Sequence, residues 1–248
     1  MQPERDVSPF HDIRNAFGLL TRLPVAAASP AGSCWAWPVV GGVVNALAAA
    51  CGVLLADIGL PAGFAAVCVL AAAILVTGGL HEDGLADTAD GFWGGRTTER
   101  RLEIMKDSRI GSYGVLALVL SLMARATLIA GLLAGGDALF ALIVAGSLSR
   151  AVLPGVMAAL PFARNGGLAA SIGRPGKAVA IVSMAVGAVI AFGLCGMPGV
   201  AATLAAAAAA LVVAILARIK IGGQTGDVLG ASQQLAEITA LATLSTLL

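Results

Sequence analysis

Six stretches of this chain are apolar for long enough to cross a lipid bilayer, and no other feature limits its fold so strongly. They cover residues 39–56, 62–80, 115–134, 138–160, 178–197 and 200–217. Crossing about 30 Å of hydrocarbon takes about 20 helical residues, with a working range near 17–25. A seventh run, 235–248, is shorter and opens beside Glu237. A tilted span, a re-entrant piece and an interfacial helix all remain open for it. Hydrophobic residues make up 58% of the chain and charged residues 12%, with 32 glycines besides. Soluble domains carry about 25% charged residues. There is too little polar surface here to clothe a globule in water, which excludes a soluble enzyme and a disordered chain.

The runs do not alternate polar and apolar residues, so barrel strands are not expected. Their Ala, Gly and Val content lets neighbouring helices approach closely. The expected fold is therefore all-α, a polytopic transmembrane helical bundle formed by one domain over 1–248. The net charge of +1 predicts no general attraction to nucleic acid. Cys34, Cys51, Cys68 and Cys195 form no CxxC pair and read as small apolar residues.

Orientation follows from the basic residues. The N-terminal 38 residues and the segments 81–114, 161–177 and 218–234 hold every Lys and Arg except Arg125 and Arg150. With six spans these four segments share one face, which the positive-inside rule makes cytoplasmic. Nothing in the first 38 residues reads as a signal peptide, and residues 10–25 mix apolar and basic groups as an interfacial segment would.

The chemistry is expected on that face. The segment 81–91 reads His-Glu-Asp-Gly-Leu-Ala-Asp-Thr-Ala-Asp-Gly. Asp83, Asp87 and Asp90 are spaced i, i+4, i+7, on one side of a helix. Their mutual repulsion would be relieved by a divalent cation, and Mg²⁺ favours a few carboxylates completed by water and phosphate. An acidic, solvated helix end is the plainer alternative. Further on, Thr98 is expected to cap a short helix that ends near Gly111. Its Glu103, Asp107, Arg100 and Arg109 suit either a phosphate-bearing substrate or an ordinary salt-bridged surface. The glycine-rich segment 222–230 carries Thr225 and Asp227, the latter either a helix cap or a further metal ligand. Arg125 and Arg150 lie within spans, where charge is costly. They are expected to reach down a polar cleft toward an anionic substrate or the aspartates, with structural pairing as the alternative. His81 is a candidate general base, or else a hydrogen-bonded interface residue.

Three of these segments, 81–91, 101–111 and 222–227, together resemble the cobalamin synthase family, the adenosylcobinamide-GDP ribazoletransferases. Leu20-Thr21-Arg22-Leu23-Pro24-Val25 and Pro161-Phe162-Ala163-Arg164 fit the same pattern, and the resemblance runs from about residue 17 to 238. Glu82 departs from it by standing where an apolar residue, usually Leu, is expected; it would add charge beside the metal helix and alter metal affinity.

The resemblance implies a Mg²⁺-dependent enzyme of the cytoplasmic (inner) membrane. A hydroxyl of α-ribazole 5'-phosphate, or of α-ribazole, attacks adenosylcobinamide-GDP, giving adenosylcobalamin 5'-phosphate (or adenosylcobalamin) and GMP. Asp83, Asp87, Asp90 and Asp227 are the implied metal ligands. Arg96, Arg109, Arg164, Arg150 and Thr225 are the implied substrate contacts. One of the aspartates or His81 would take the proton. CDP-alcohol phosphotransferases, with a differently spaced aspartate cluster, are the alternative enzyme class, and a transporter is a third reading. Lipid and the two small molecules are the expected partners, with self-association left open.

Overall fold

A computed structural model of the protein describes residues 8–25 and 30–248. Arg5, counted above with the basic N-terminal segment, lies outside them. Among the described residues there is no strand. The helices are α1 (Pro9–Leu20), α2 (Trp37–Asp57), α3 (Ala62–Thr77), α4 (Leu80–Gly94), α5 (Thr98–Ile104) and α6 (Ser112–Gly135). They continue as α7 (Ala138–Ala151), α8 (Leu153–Ala159), α9 (Leu168–Ile172), α10 (Lys177–Ile221) and α11 (Gly226–Leu247), with a 3₁₀ turn, Ala31–Ala36, leading into α2.

The distribution of side chains is the inverse of a water-soluble protein. Leu75, Leu120, Ile181, Val189 and Leu204 project outward, each more than 60% exposed. Ser121, Asn45, Arg125, Arg150, Gln233, Gln234 and Glu237 are buried inside. An apolar exterior this extensive is stable only against another apolar phase. By length and composition the bundle has four segments able to cross a membrane: Ala31–Asp57, Ser112–Gly135, Ala138–Ala159 and Lys177–Ile221. A fifth, Ala62–Thr77 with Leu80–Gly94, is bent by 91° at its break.

Three of the six expected runs end or join in ways that apolar length does not show. The run 62–80 ends at Thr77, because Gly78 and Gly79 both adopt the left-handed backbone (φ 68° and 70°) that other residues resist. The chain turns there and α4 sets off in a new direction, packed against α6 and α11 rather than standing as a solvated loop. The runs 178–197 and 200–217 form two helical arms of α10, separated by the non-helical Gly196 (φ 58°, ψ −132°). Gly199 abuts the carbonyl of Ala191, eight residues earlier. A straight helix would hold these about 12 Å apart, so the segment folds back on itself into two arms.

The C-terminal run also changes. It begins at Gly226, nine residues before the apolar stretch, and α11 is the core of the bundle, with Val228, Ala236, Ala240, Leu241 and Leu244 closed off by α4, α6, α7 and α10. The four cysteines are free; Cys34 is buried and Cys51 faces outward.

Candidate active site

α4 and α11 cross where Gly84 meets Gly230. The Cβ position of Gly84 lies 3.1 Å from the Cα of Gly230, so only a hydrogen fits between the backbones. This crossing sets Asp83 and Asp87 of α4 beside Asp227 in the first turn of α11. The start of α11 is itself fixed. Thr225 caps it by accepting from the Val228 N–H (3.3 Å), and its hydroxyl donates to Asp227 Oδ2 (3.1 Å). Residues 161–164 pair with the glycine-rich segment: the Ala163 N–H donates to the Gln224 carbonyl (2.9 Å) and the Gln224 N–H to that of Pro161 (2.8 Å). That pairing carries Arg164 to Asp227, where Nη2 donates to Oδ2 at 3.1 Å.

Asp83 borders two cavities. One has about 110 Å³ of free volume and is shared with His81, Arg164 and Asp227, under an apolar wall of α1, α9 and Trp37. The other, about 650 Å³, is an open cleft lined by Asp87, Arg22, Lys106 and Asp107. The electrostatics are those of crowded carboxylates. Burial, then the charges of Asp83, Asp227 and Asp90, push Asp87 up to about 7 against the pull of Arg164. Burial also raises Asp227, which Arg164 and the Thr225 hydroxyl oppose and Asp83 reinforces. Burial and the fields of Arg150 and Arg125 lower His81 well below its ordinary value, so its imidazole is neutral at pH 7.

The other expected site residues are placed differently. Asp90 is buried and both its oxygens are engaged: it accepts from the N–H groups of Gly111 (2.7 Å) and Gly114 (2.9 Å), capping α6. Arg109 is 86% exposed and chelates Asp107, with Nη2 to Oδ2 at 2.7 Å. This pairing holds the Asp107 carboxyl at about 2. Arg96 is exposed in the loop after α4 and borders neither cavity. α5 is capped by Thr97 rather than Thr98, accepting from the Arg100 N–H (3.2 Å), and it ends at Ile104, short of Gly111. Its Arg100–Glu103 pair is an exposed surface contact.

Arg150 does not reach the cleft. It is buried against Glu237 (2.5 Å) and Ser149 (2.9 Å). Arg125 is likewise held by Glu82 Oε1 (3.1 Å) and lies 3.7 Å from Glu237. Both arginines therefore take the structural alternative, although their partners are carboxylates and not backbone carbonyls or Asn45. Glu82 points away from Asp83, into this cluster, where Gln234 also donates to it (3.0 Å). Two buried cations and two buried anions balance each other, as charges at this depth require. Two cleft residues escaped the sequence reading: Arg22, on the loop after α1, and Lys106, after α5. Their only sequence signal was a basic residue inside a family-like segment.

Among the described residues, no three His, Cys, Asp or Glu side chains converge as they stand to hold a metal ion. The donor set nevertheless suits a hard cation. Asp83, Asp87 and Asp227 are oxygen donors set close together, and Mg²⁺ needs only one or two carboxylates when phosphate supplies the rest. Asp90 fits less well, because both its oxygens already accept backbone hydrogen bonds.

No solved structure matches the chain. The family described as cobalamin-5-phosphate synthase matches residues 12–245. Adenosylcobinamide-GDP ribazoletransferase of Bradyrhizobium diazoefficiens is 45% identical over 239 residues, spanning 93% of this chain and 91% of that protein. The enzymes of the same name from Azorhizobium caulinodans (45% over 248 residues, 93% of each chain) and Rhizobium meliloti (44% over 221 residues, 85% and 84%) are similar in the same way. Matched along nearly its whole length, the chain belongs to the cobalamin-5-phosphate synthase family.

Proposed function

We propose that this protein is a membrane-embedded adenosylcobinamide-GDP ribazoletransferase acting late in cobalamin biosynthesis. It joins α-ribazole 5'-phosphate, or α-ribazole, to the cobinamide phosphate of adenosylcobinamide-GDP and releases GMP. The observation that carries this reading is the position of Asp83, between two cavities and flanked by Asp87 and Asp227 on helices that cross in backbone contact.

In the reaction, a ribose hydroxyl oxygen bonds to the phosphorus that bears the cobinamide. The bond from that phosphorus to the GMP phosphate oxygen breaks, and its electron pair leaves with GMP. The hydroxyl proton passes to one of the clustered aspartates or to His81, the imidazole being the weaker acceptor because burial, Arg150 and Arg125 disfavour its charged form. Arg22 and Lys106 line the open cleft and meet the pyrophosphate; Arg164 meets anionic oxygens on the enclosed side. Asp83, Asp87 and Asp227 would hold Mg²⁺, which when bound would neutralise charge on the pyrophosphate and the departing GMP. Asp90 anchors the end of α4 to α6, so the carboxylates ahead of it keep their orientation.

The topology of this reading has six crossings: α2, α3, α6, α7 with α8, and the two arms of α10. α11 is a seventh, too polar to be found by hydropathy and screened from lipid by the others. The acidic helix and the basic loops then share the cytoplasmic face of the inner membrane. The test uses purified protein in detergent with adenosylcobinamide-GDP, α-ribazole 5'-phosphate and Mg²⁺, following GMP and the joined corrinoid by chromatography. Equal amounts of both, lost with EDTA and in Asp83→Asn, are expected. No product from folded, Mg²⁺-loaded protein would refute the activity, and product from Asp83→Asn would refute the metal assignment.

A further inference from the structure

We infer that the enclosed cavity is the subsite for the acceptor nucleoside, with its base against Trp37, Leu168 and Ile172 and its anionic end toward Arg164, while the nucleotide donor occupies the open cleft. The inference rests on the transferase reading above and adds to it which substrate lies on which side of Asp83.

Three observations carry it. The first is the chemistry of the walls. The enclosed cavity has four charged or polar side chains in its lining, His81, Asp83, Arg164 and Asp227, and the remainder is apolar apart from glycine backbone. The benzimidazole base of α-ribazole has a hydrocarbon edge and meets such a wall without loss. Guanine carries amide and amino groups on its edge, which would be left unpaired there at a cost of about 1–3 kcal/mol each. The second is size and access. The apolar-walled cavity has about 110 Å³ of free volume against about 650 Å³ in the open cleft, so the far bulkier corrinoid joined to a nucleotide is directed to the latter. The open cleft also carries Arg22 and Lys106, which suit a bulky polyanion.

The third is unpartnered donors. Arg164 spends Nη2 on Asp227, while its buried Nη1 has no acceptor among the described residues. Trp37 is 2% exposed and its indole N–H also lacks one among them. Buried donors without acceptors are rare and costly. A ribose phosphate supplies acceptor oxygens beside this wall. The arrangement also fits the chemistry: Asp83 borders both cavities, at the partition where the new bond forms.

The test measures binding and turnover separately on the full-length protein in detergent. Titration with α-ribazole 5'-phosphate is expected to quench tryptophan fluorescence in wild type and not in Trp37→Phe, whereas GMP leaves this signal unchanged. In steady state, Leu168→Trp, which narrows the cavity, is expected to raise the acceptor KM about tenfold or more with the donor KM unchanged. Should Leu168→Trp fail to fold, the same split in Trp37→Phe decides the matter. A rise in donor KM instead, or equal rises in both, overturns the subsite assignment while the transferase reading stands. Quenching by GMP that Trp37→Phe abolishes overturns it as well. Quenching by α-ribazole 5'-phosphate without any GMP release from wild type supports the subsite and refutes the transferase reading.

Discussion

Replacing Gly84 by alanine would place a methyl group 2.9 Å from the Asp227 carbonyl oxygen and 3.1 Å from the Cα atoms of Asp227 and Gly230. All three neighbours are backbone atoms, so none can rotate away, and α4 and α11 must separate by a few tenths of an ångström. Overpacking of this kind costs about 1–3 kcal/mol, partly offset by about 1 kcal/mol from the better helix propensity of alanine. A net destabilisation on the order of 1 kcal/mol follows. The larger effect is on catalysis, because the separation opens between Asp83 and Asp227. Misplacement by 1 Å costs about 10²-fold in rate, so Gly84→Ala is expected to lose about tenfold in kcat while remaining folded. Gly230→Ala, whose Cβ would lie 3.0 Å from Gly84 Cα and the His81 carbonyl, should behave alike, and the two should not add. Gly131→Ala on α6, with nothing within 4 Å, is the control and should keep full activity. Thermal unfolding in detergent and the rate of GMP release would be measured for all three. If Gly84→Ala and Gly131→Ala are indistinguishable in both, the backbone crossing does not position the carboxylates.

Further outcomes follow from the charges. Asp87 stands at about 7 in the fold against 3.8 for an ordinary aspartate; a raised carboxyl loses stability as pH climbs between those values, so metal-free protein should be less stable at pH 7 than at pH 4. Mg²⁺ should restore that loss, bind more tightly at pH 8 than at pH 6, and release about half a proton at pH 7; calorimetry in buffers of different ionisation heat would show no such release if the cation binds elsewhere. Arg125→Met strands Glu82 and should cost about 3–5 kcal/mol, whereas Arg125→Met with Glu82→Leu should recover most of it, because the cluster returns to balance; a thermal double-mutant cycle without recovery would contradict the pairing. Asp90→Asn removes a charged acceptor from the start of α6 and should cost about 1–2 kcal/mol with Mg²⁺ affinity retained. Asp83→Asn should do the reverse, losing Mg²⁺ affinity without loss of metal-free stability.

The legibility of this protein varies by element. α2, α6 and the stretch covering α7 and α8 were readable as spans, because apolar length is a local property. The sharp turn at Gly196 between the two runs of α10 was not legible, since the same composition suits a straight helix or a folded-back pair. α11 was misjudged in length. Its Gln233, Gln234 and Glu237 look unsuited to a membrane until Arg125, Arg150 and Ser149 are brought to them. The i, i+4, i+7 spacing placed three aspartates on one side of α4. It could not show that the third is turned to the amides of α6, which depends on a neighbour 21 residues away in sequence.

By itself, the sequence determined the class of molecule, an α-helical membrane protein with its acidic and basic groups gathered in a few segments, and the family to which those segments belong. Both depend on information written along the chain: apolar length, charge position and motif order. The tertiary structure alone decided which charges gather beside the cavities and which hold the bundle together. Asp83, Asp87, Asp227 and Arg164 meet because two glycines let α4 and α11 touch and because the Pro161–Arg164 and Gly222–Thr225 segments pair. Arg125, Arg150, Glu82 and Glu237 neutralise one another where packing excludes water. A buried charge takes its role from its partner, and the partners here come from different helices.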